Sequence, residues 1–158
     1  MSRFFDDINI GDAAALGSHT FGADEIKTFA HKFDPQRFHI DEEEAKRSHF
    51  GRLAASGWHT AAVAMRLLVG HRMDVADAMR AKGEPVAKTG PSPGIRALKW
   101  LKPVYVGDTI SYAREVTETR PSSSRPEWGL VTNTIIGTNQ DGAPVISFVA
   151  TGFVERRT

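Results

Sequence analysis

The sequence predicts an α+β domain in which one long apolar helix is wrapped by a curved antiparallel sheet. Three observations carry that expectation. Helical periodicity fills the first half of the chain, and β-rich runs separated by turn signals fill the second. The stretch from 57 to 70 is apolar nearly all round, so it needs a sheet to cover it. At 158 residues the chain can bury a core of its own, and no repeat, low-complexity tract or linker divides it, so residues 1–158 read as a single domain.

The elements follow in order. Residues 14–21 (AALGSHTF) read as a first, weakly patterned strand. Ile26, Phe29, Ala30 and Phe33 then fall at i, i+3, i+4 and i+7, the apolar face of a helix. Asp24 and Glu25 suit the positive end of its dipole, and Pro35 stops it near Phe33 or Asp34. Asp41, with Glu44 three residues on, has capping-box spacing and opens a second short helix. Ser56 is placed to cap the long helix, which runs from Gly57 to about Gly70 with a more polar continuation over 71–82. Pro85, Gly90, Pro91 and Pro93 make the stretch 83–94 a loop. Strand patterns follow over 95–101, from Thr109 onward, and in WGLVTNTIIGT and PVISFVATGFV. Gly107-Asp108 marks a turn, RPSSSRPEWG a polar loop, and Asp141-Gly142 a tight hairpin.

Composition narrows the function classes. Twenty Lys and Arg against nineteen Asp and Glu leave a net charge of +1, which builds no basic field for nucleic acid. The absence of cysteine excludes disulfides and thiolate chemistry and fits a reducing cytoplasm. MSRFFDDINIGD lacks the basic start and apolar run of a signal peptide, and the longest apolar stretch, interrupted by Arg66, is too short to span a bilayer. A cytoplasmic protein without a membrane partner is expected. Six histidines form no HxH or HExxH pair, so no metal is expected, and no organic cofactor.

The segment FDPQRFHI (33–40) carries the chemistry. It sets a carboxylate, Asp34, and an imidazole, His39, five residues apart in a chain that Pro35 has broken out of helix. A tight irregular loop brings two such groups to one site, where they can hold and polarise a water and move its proton. The second element is Ala55-Ser56-Gly57-Trp58-His59. If Ser56 caps the helix, the N–H of Gly57 is free to stabilise an anionic oxygen such as a thioester enolate. Taken singly, each feature has a plainer reading: Asp34 as a turn cap, His39 as a structural histidine, Ser56-Gly57 as an ordinary helix start.

Together and in this order, the features resemble the MaoC-like dehydratases and R-specific enoyl-CoA hydratases. That signature has an Asp, a proline-containing turn, a His five residues after the Asp and a second Asp two residues later. FDPQRFHIDEEEA supplies Asp34, Pro35, His39 and Asp41. FGRLAASGWHT resembles the family's glycine at the start of the central helix, and GIRALKWLKPVYVGDTI its core strand, proline and Gly-Asp turn. The resemblance runs from about Phe4 to the C-terminus. It implies a hot-dog fold, a homodimer or dimer of dimers, and a CoA or acyl-carrier thioester as substrate. The implied activity is reversible hydration of a 2-enoyl-CoA to a 3-hydroxyacyl-CoA. In that reading Asp34 and His39 activate water and the Gly57 N–H binds the thioester oxygen. Ser56, Trp58 and His59 stand beside the substrate. The loop departs from the common Asp-x-Asn-Pro-x-His form, with Gln36 and Arg37 in place of the Asn and Pro. Arg96, Lys99, Lys102, Arg120 and Arg125 are either contacts for CoA phosphates or a solvated strand edge. Two other readings stay open: a hot-dog acyl-CoA thioesterase, and a non-catalytic acyl-CoA- or partner-binding subunit.

Overall fold

The computed structural model describes residues 3–157. A single helical turn at Phe5–Asp7 precedes β1 (Ala13–Thr20), α1 (Ala23–Phe33), the short α2 (Arg37–Ile40) and α3 (Glu42–Arg47), and the long α4 (Gly57–Ala81). Four strands follow: β2 (Gly94–Trp100), β3 (Thr109–Pro121), β4 (Trp128–Thr138) and β5 (Pro144–Glu155). All pair antiparallel in one sheet, order β1-β3-β4-β5-β2.

Two strand boundaries have a clear local cause. The β4–β5 hairpin turns at Gly142 (φ 77°), and the Asn139 side-chain oxygen accepts from the N–H groups of Asp141 and Ala143 at 3.1 and 2.9 Å. At Gly107 (φ 87°) the chain turns into β3, and the Asp108 carboxylate accepts the Tyr105 N–H at 2.8 Å. The polar loop between β3 and β4 is shorter than its composition predicts. Arg120 and Pro121 belong to β3 and Trp128 and Gly129 to β4, because Arg120 pairs with Leu130 and Pro121 with Gly129.

The main core lies between α4 and the sheet. Phe21, Ile26, Val63, Ala64, Ile110, Tyr112, Ile135, Ile146 and Phe148 form its centre. On β3, Ile110, Tyr112, Arg114 and Val116 are buried at alternate positions, the period of a one-sided strand. Tyr112 also donates its hydroxyl to the Thr60 carbonyl at 3.1 Å, tying sheet to helix. A smaller cluster of Ile8, Ala87, Val116, Val131 and Val154 closes the far end under Phe4 and Phe5.

Two expectations need correction. The expected apolar face of α1 holds at Ile26 and Ala30, both fully buried, but Phe33 at its C-terminus is 68% exposed. Similarly, α4 is a single 25-residue helix through Gly70, yet only one side is covered. Val63 and Ala64 are buried, whereas Trp58, Met65 and Met73 remain exposed. One five-stranded sheet cannot surround a helix, so an all-round apolar sequence leaves an apolar stripe bare within a single chain. Among the described residues, no helix is long and apolar enough to cross a membrane.

Candidate functional site

The residues between β1 and α4 overhang the N-terminus of α4 and are pinned there by backbone bonds. Ala55 donates to the Val104 carbonyl at 2.8 Å, and Val106 to the Leu53 carbonyl at 3.1 Å. Within this overhang α1 ends at Phe33, as Pro35 requires, and Asp34 takes a non-helical conformation (φ −154°, ψ 69°). After two more extended positions the chain makes one further helical turn, Arg37–Ile40, in place of a wholly irregular loop. His39 sits in that turn. The break at Asp34 brings a residue from one helix end and a residue from the next turn to the same wall.

His39 is almost fully buried. Its Nδ1 lies 2.7 Å from the Ala54 carbonyl oxygen. A carbonyl only accepts, so Nδ1 carries the proton and neutral His39 presents an Nε2 lone pair. That Nε2 is 3.5 Å from Asp34 Oδ2, longer than a good hydrogen bond and suited to two groups converging on a third atom. Phe38 packs edge-on to the imidazole at 4.5 Å between ring centres.

Asp34 is held from two sides. Ser56 donates its hydroxyl to Oδ2 at 2.6 Å, and the Gln36 amide donates to Oδ1 at 2.8 Å. Burial pushes the Asp34 carboxyl up. The Ser56 and Gln36 hydrogen bonds and the nearby His39 outweigh it and hold the group below its ordinary value. Asp34 is therefore a carboxylate at neutral pH. The same Ser56 oxygen accepts the Trp58 N–H at 3.2 Å, so one hydroxyl both caps α4 and orients Asp34.

Around this pair lies a cavity of about 430 Å³. Asp34 and His39 line it with Gly57, Trp58, Trp100 and Lys102, among others. Of the first-turn N–H groups of α4, Trp58 is bound by Ser56 Oγ, and His59 and Thr60 by the Ser56 carbonyl. The Gly57 N–H opens the helix and has no partner within it. A side chain at Gly57 has no room, since its Cβ would lie 2.5–2.8 Å from the Trp100 indole.

The structure thus brings together Asp34, His39, Ser56, Gly57 and Trp58. It does not bring His59 to them. Two positions after Gly57, His59 points to another side of the helix (about 200° round at 3.6 residues per turn). There it stacks on Phe29 at 4.5 Å and meets Phe21 edge-on, away from the cavity lining. Burial pushes its imidazole pKa down. Of the basic candidates, Lys102 lines the cavity, Arg96 pairs with Glu118 at 3.6 Å, and Arg125 lies over the Phe153 ring. Three contributors escape sequence reading: the Ala54 carbonyl, the clamp from Gln36, and Trp100 over Gly57. Only Gln36 leaves a trace there, as a polar residue in a two-residue step from Asp34.

An antiparallel sheet wrapped on a long helix, with an overhang above the helix N-terminus, defines a hot-dog domain. The chain belongs to the MaoC-like domain family, which it matches over residues 10–138. It is similar to the MaoC-like dehydratase from Rhodospirillum rubrum, at 37% identity and a TM-score of 0.81 with 99% of each chain covered. It is also similar to an (R)-hydratase from A. caviae involved in PHA biosynthesis, at 26% identity and a TM-score of 0.68, covering 96% of this chain and 98% of that one. An uncharacterized protein of Bacillus subtilis, YdeM, is 30% identical over 135 residues, which are 85% of this chain and 86% of that protein.

Proposed function

We propose that this protein is a hydro-lyase that adds water reversibly across the 2,3 double bond of an enoyl thioester, giving a 3-hydroxyacyl thioester. The observation that carries the reading is the convergence of His39 Nε2 and Asp34 Oδ2, 3.5 Å apart, on one cavity beside the N-terminus of α4. The likeness to an (R)-hydratase supports the reaction class.

The chemistry follows from the groups present. A water held between the two residues gives a proton to His39 Nε2 while its oxygen bonds to C3 of the enoyl group. The Asp34 carboxylate, anchored by Ser56 and Gln36, holds the water and stabilises the imidazolium that forms. Electron density displaced from the double bond moves to the thioester oxygen, where the Gly57 N–H and the positive end of α4 stabilise it. His39 then returns the proton to C2. The net change is OH on C3 and H on C2, with both residues restored, so no cofactor is consumed. A positioned base contributes roughly 10²–10⁴-fold and an oxyanion donor about 10²–10³-fold. The rim supplies apolar Trp58, Trp100 and Leu101 with Lys102, a surface suited to an acyl carrier bearing phosphates.

The test is the ultraviolet band of the conjugated thioester in crotonyl-CoA and in longer 2-enoyl-CoA esters, followed in parallel with a thiol reagent. The expected result is loss of the band with no free thiol. Thiol release would replace the reading with thioester hydrolysis, and a stable band with every chain length would overturn it.

A further inference from the structure

A second cavity, of about 260 Å³, lies between the middle turns of α4 and the inner face of the sheet, and no residue lines both it and the Asp34 cavity. At about 30 Å³ per molecule it has room for on the order of nine waters, or a ligand of comparable bulk. Its walls are largely apolar: Met65, Leu68, Val69, Val131, Phe153 and Val154. Set among them is Arg114, which alternates with Ile110, Tyr112 and Val116 on the buried side of β3.

Arg114 is 93% buried (7% exposed), yet the chain provides it little. Nη1 donates to Asn133 Oδ1 at 3.2 Å, and among the described residues Nε has no acceptor at all. No Asp or Glu lines the cavity. The acid whose charge reaches Arg114 is Asp12, and its carboxylate is already taken by Arg3 and the Asn9 N–H. A guanidinium in an apolar cavity is costly unless an acceptor meets it, and its planar fork matches the two oxygens of a carboxylate. The missing group is therefore a carboxylate, and the walls call for an apolar body behind it.

We propose that this cavity is a binding site for a carboxylate with a short apolar tail, the carboxylate on Arg114 and the tail against Leu68, Val69 and Phe153. Arg72 lines the cavity as well, but a phosphate dianion fits less well than a carboxylate with a tail, because the walls are largely apolar. The proposal stands apart from the reading of the Asp34 cavity and does not depend on it.

Calorimetric titration of the full chain with octanoate, and with octan-1-ol as the uncharged tail, tests this directly. Octanoate is expected to bind the wild type more tightly than octanol. Arg114→Met is expected to weaken octanoate by about tenfold or more, the effect of one charge-assisted hydrogen bond, and to leave octanol unchanged. Because Met fills a similar space without a buried charge, the variant should fold at least as well as the wild type. If it does not, Arg114→Lys, which keeps the charge and loses the fork, should also weaken octanoate selectively. Equal affinity for octanoate and octanol, undiminished octanoate binding in the variants, or no binding to the wild type overturns the proposal.

Discussion

At the scale of single residues, the site rests on short-range hydrogen bonds that fix charge and tautomer. Ala54 holds His39 with its Nε2 lone pair toward the cavity, and Ser56 and Gln36 keep Asp34 ionised. The sign of the resulting pH dependence is definite. A carboxyl held below its ordinary value stabilises the fold fully above the usual Asp range near ~4 and loses that contribution as pH falls through the lowered value. Above about pH 5 Asp34 therefore stays charged, and a decline in activity between pH 5 and 8 belongs to another group. In the proposed mechanism Asp34→Asn removes the charge that stabilises the imidazolium, and His39→Gln removes the base. Each is expected to lower turnover by roughly 10²–10⁴-fold while near-ultraviolet circular dichroism stays native. Wild-type initial rates in either variant would remove the pair from the mechanism.

At the scale of elements, the decisive junction is the start of α4 under the end of β2. Trp100 lies on Gly57 and meets Trp58 edge-on at 5.1 Å, so the contact favours glycine there. Gly57→Ala is therefore expected to lower stability by about 1–3 kcal/mol in urea titration, although alanine is the better helix former. Adding Trp100→Ala should relieve most of the clash; additive losses would show that Trp100 is not its source. This junction also marks where sequence reading stops. Pro35 ending α1, Ser56 capping α4 and Asp141-Gly142 turning the hairpin are legible because each acts within a few residues of itself. The Asp34–His39 pairing is legible for the same reason. Trp100 over Gly57 links positions 43 residues apart, and the path of His59 depends on where Phe21 and Phe29 pack. The inward face of Arg114 follows from its alternation with Ile110, Tyr112 and Val116, but the cavity it enters depends on how α4 and β5 pack.

At the scale of the whole molecule, one edge of the sheet and one stripe of the helix are unfinished. β2 is exposed along nearly its whole length, with Ile95 and Trp100 among its exposed residues and Leu101 just beyond. α4 leaves Trp58, Met65 and Met73 exposed, and Trp58 lies against Trp100 at the end of β2. An edge strand offers unpaired N–H and C=O groups, and an apolar stripe beside it offers area, which together favour pairing with a second copy. β2 is not a flat edge: the register shift between Arg96 and Lys99, with Ala97 at φ 54°, interrupts the ladder to β5. Such a bulge limits open-ended strand addition and favours one closed partner over a growing fibre. The expected state is therefore a homodimer, measured as twice the chain mass by light scattering on a sizing column. Ile95→Lys places a charge on the edge away from Asp34 and His39, and should shift the peak toward the monomer. A monomeric wild type at micromolar concentration would mean that the bare stripe of α4 has some other cover. If the dimer forms, loss of the proposed turnover on dilution, in step with the mass, would show that the site needs the second copy to complete it.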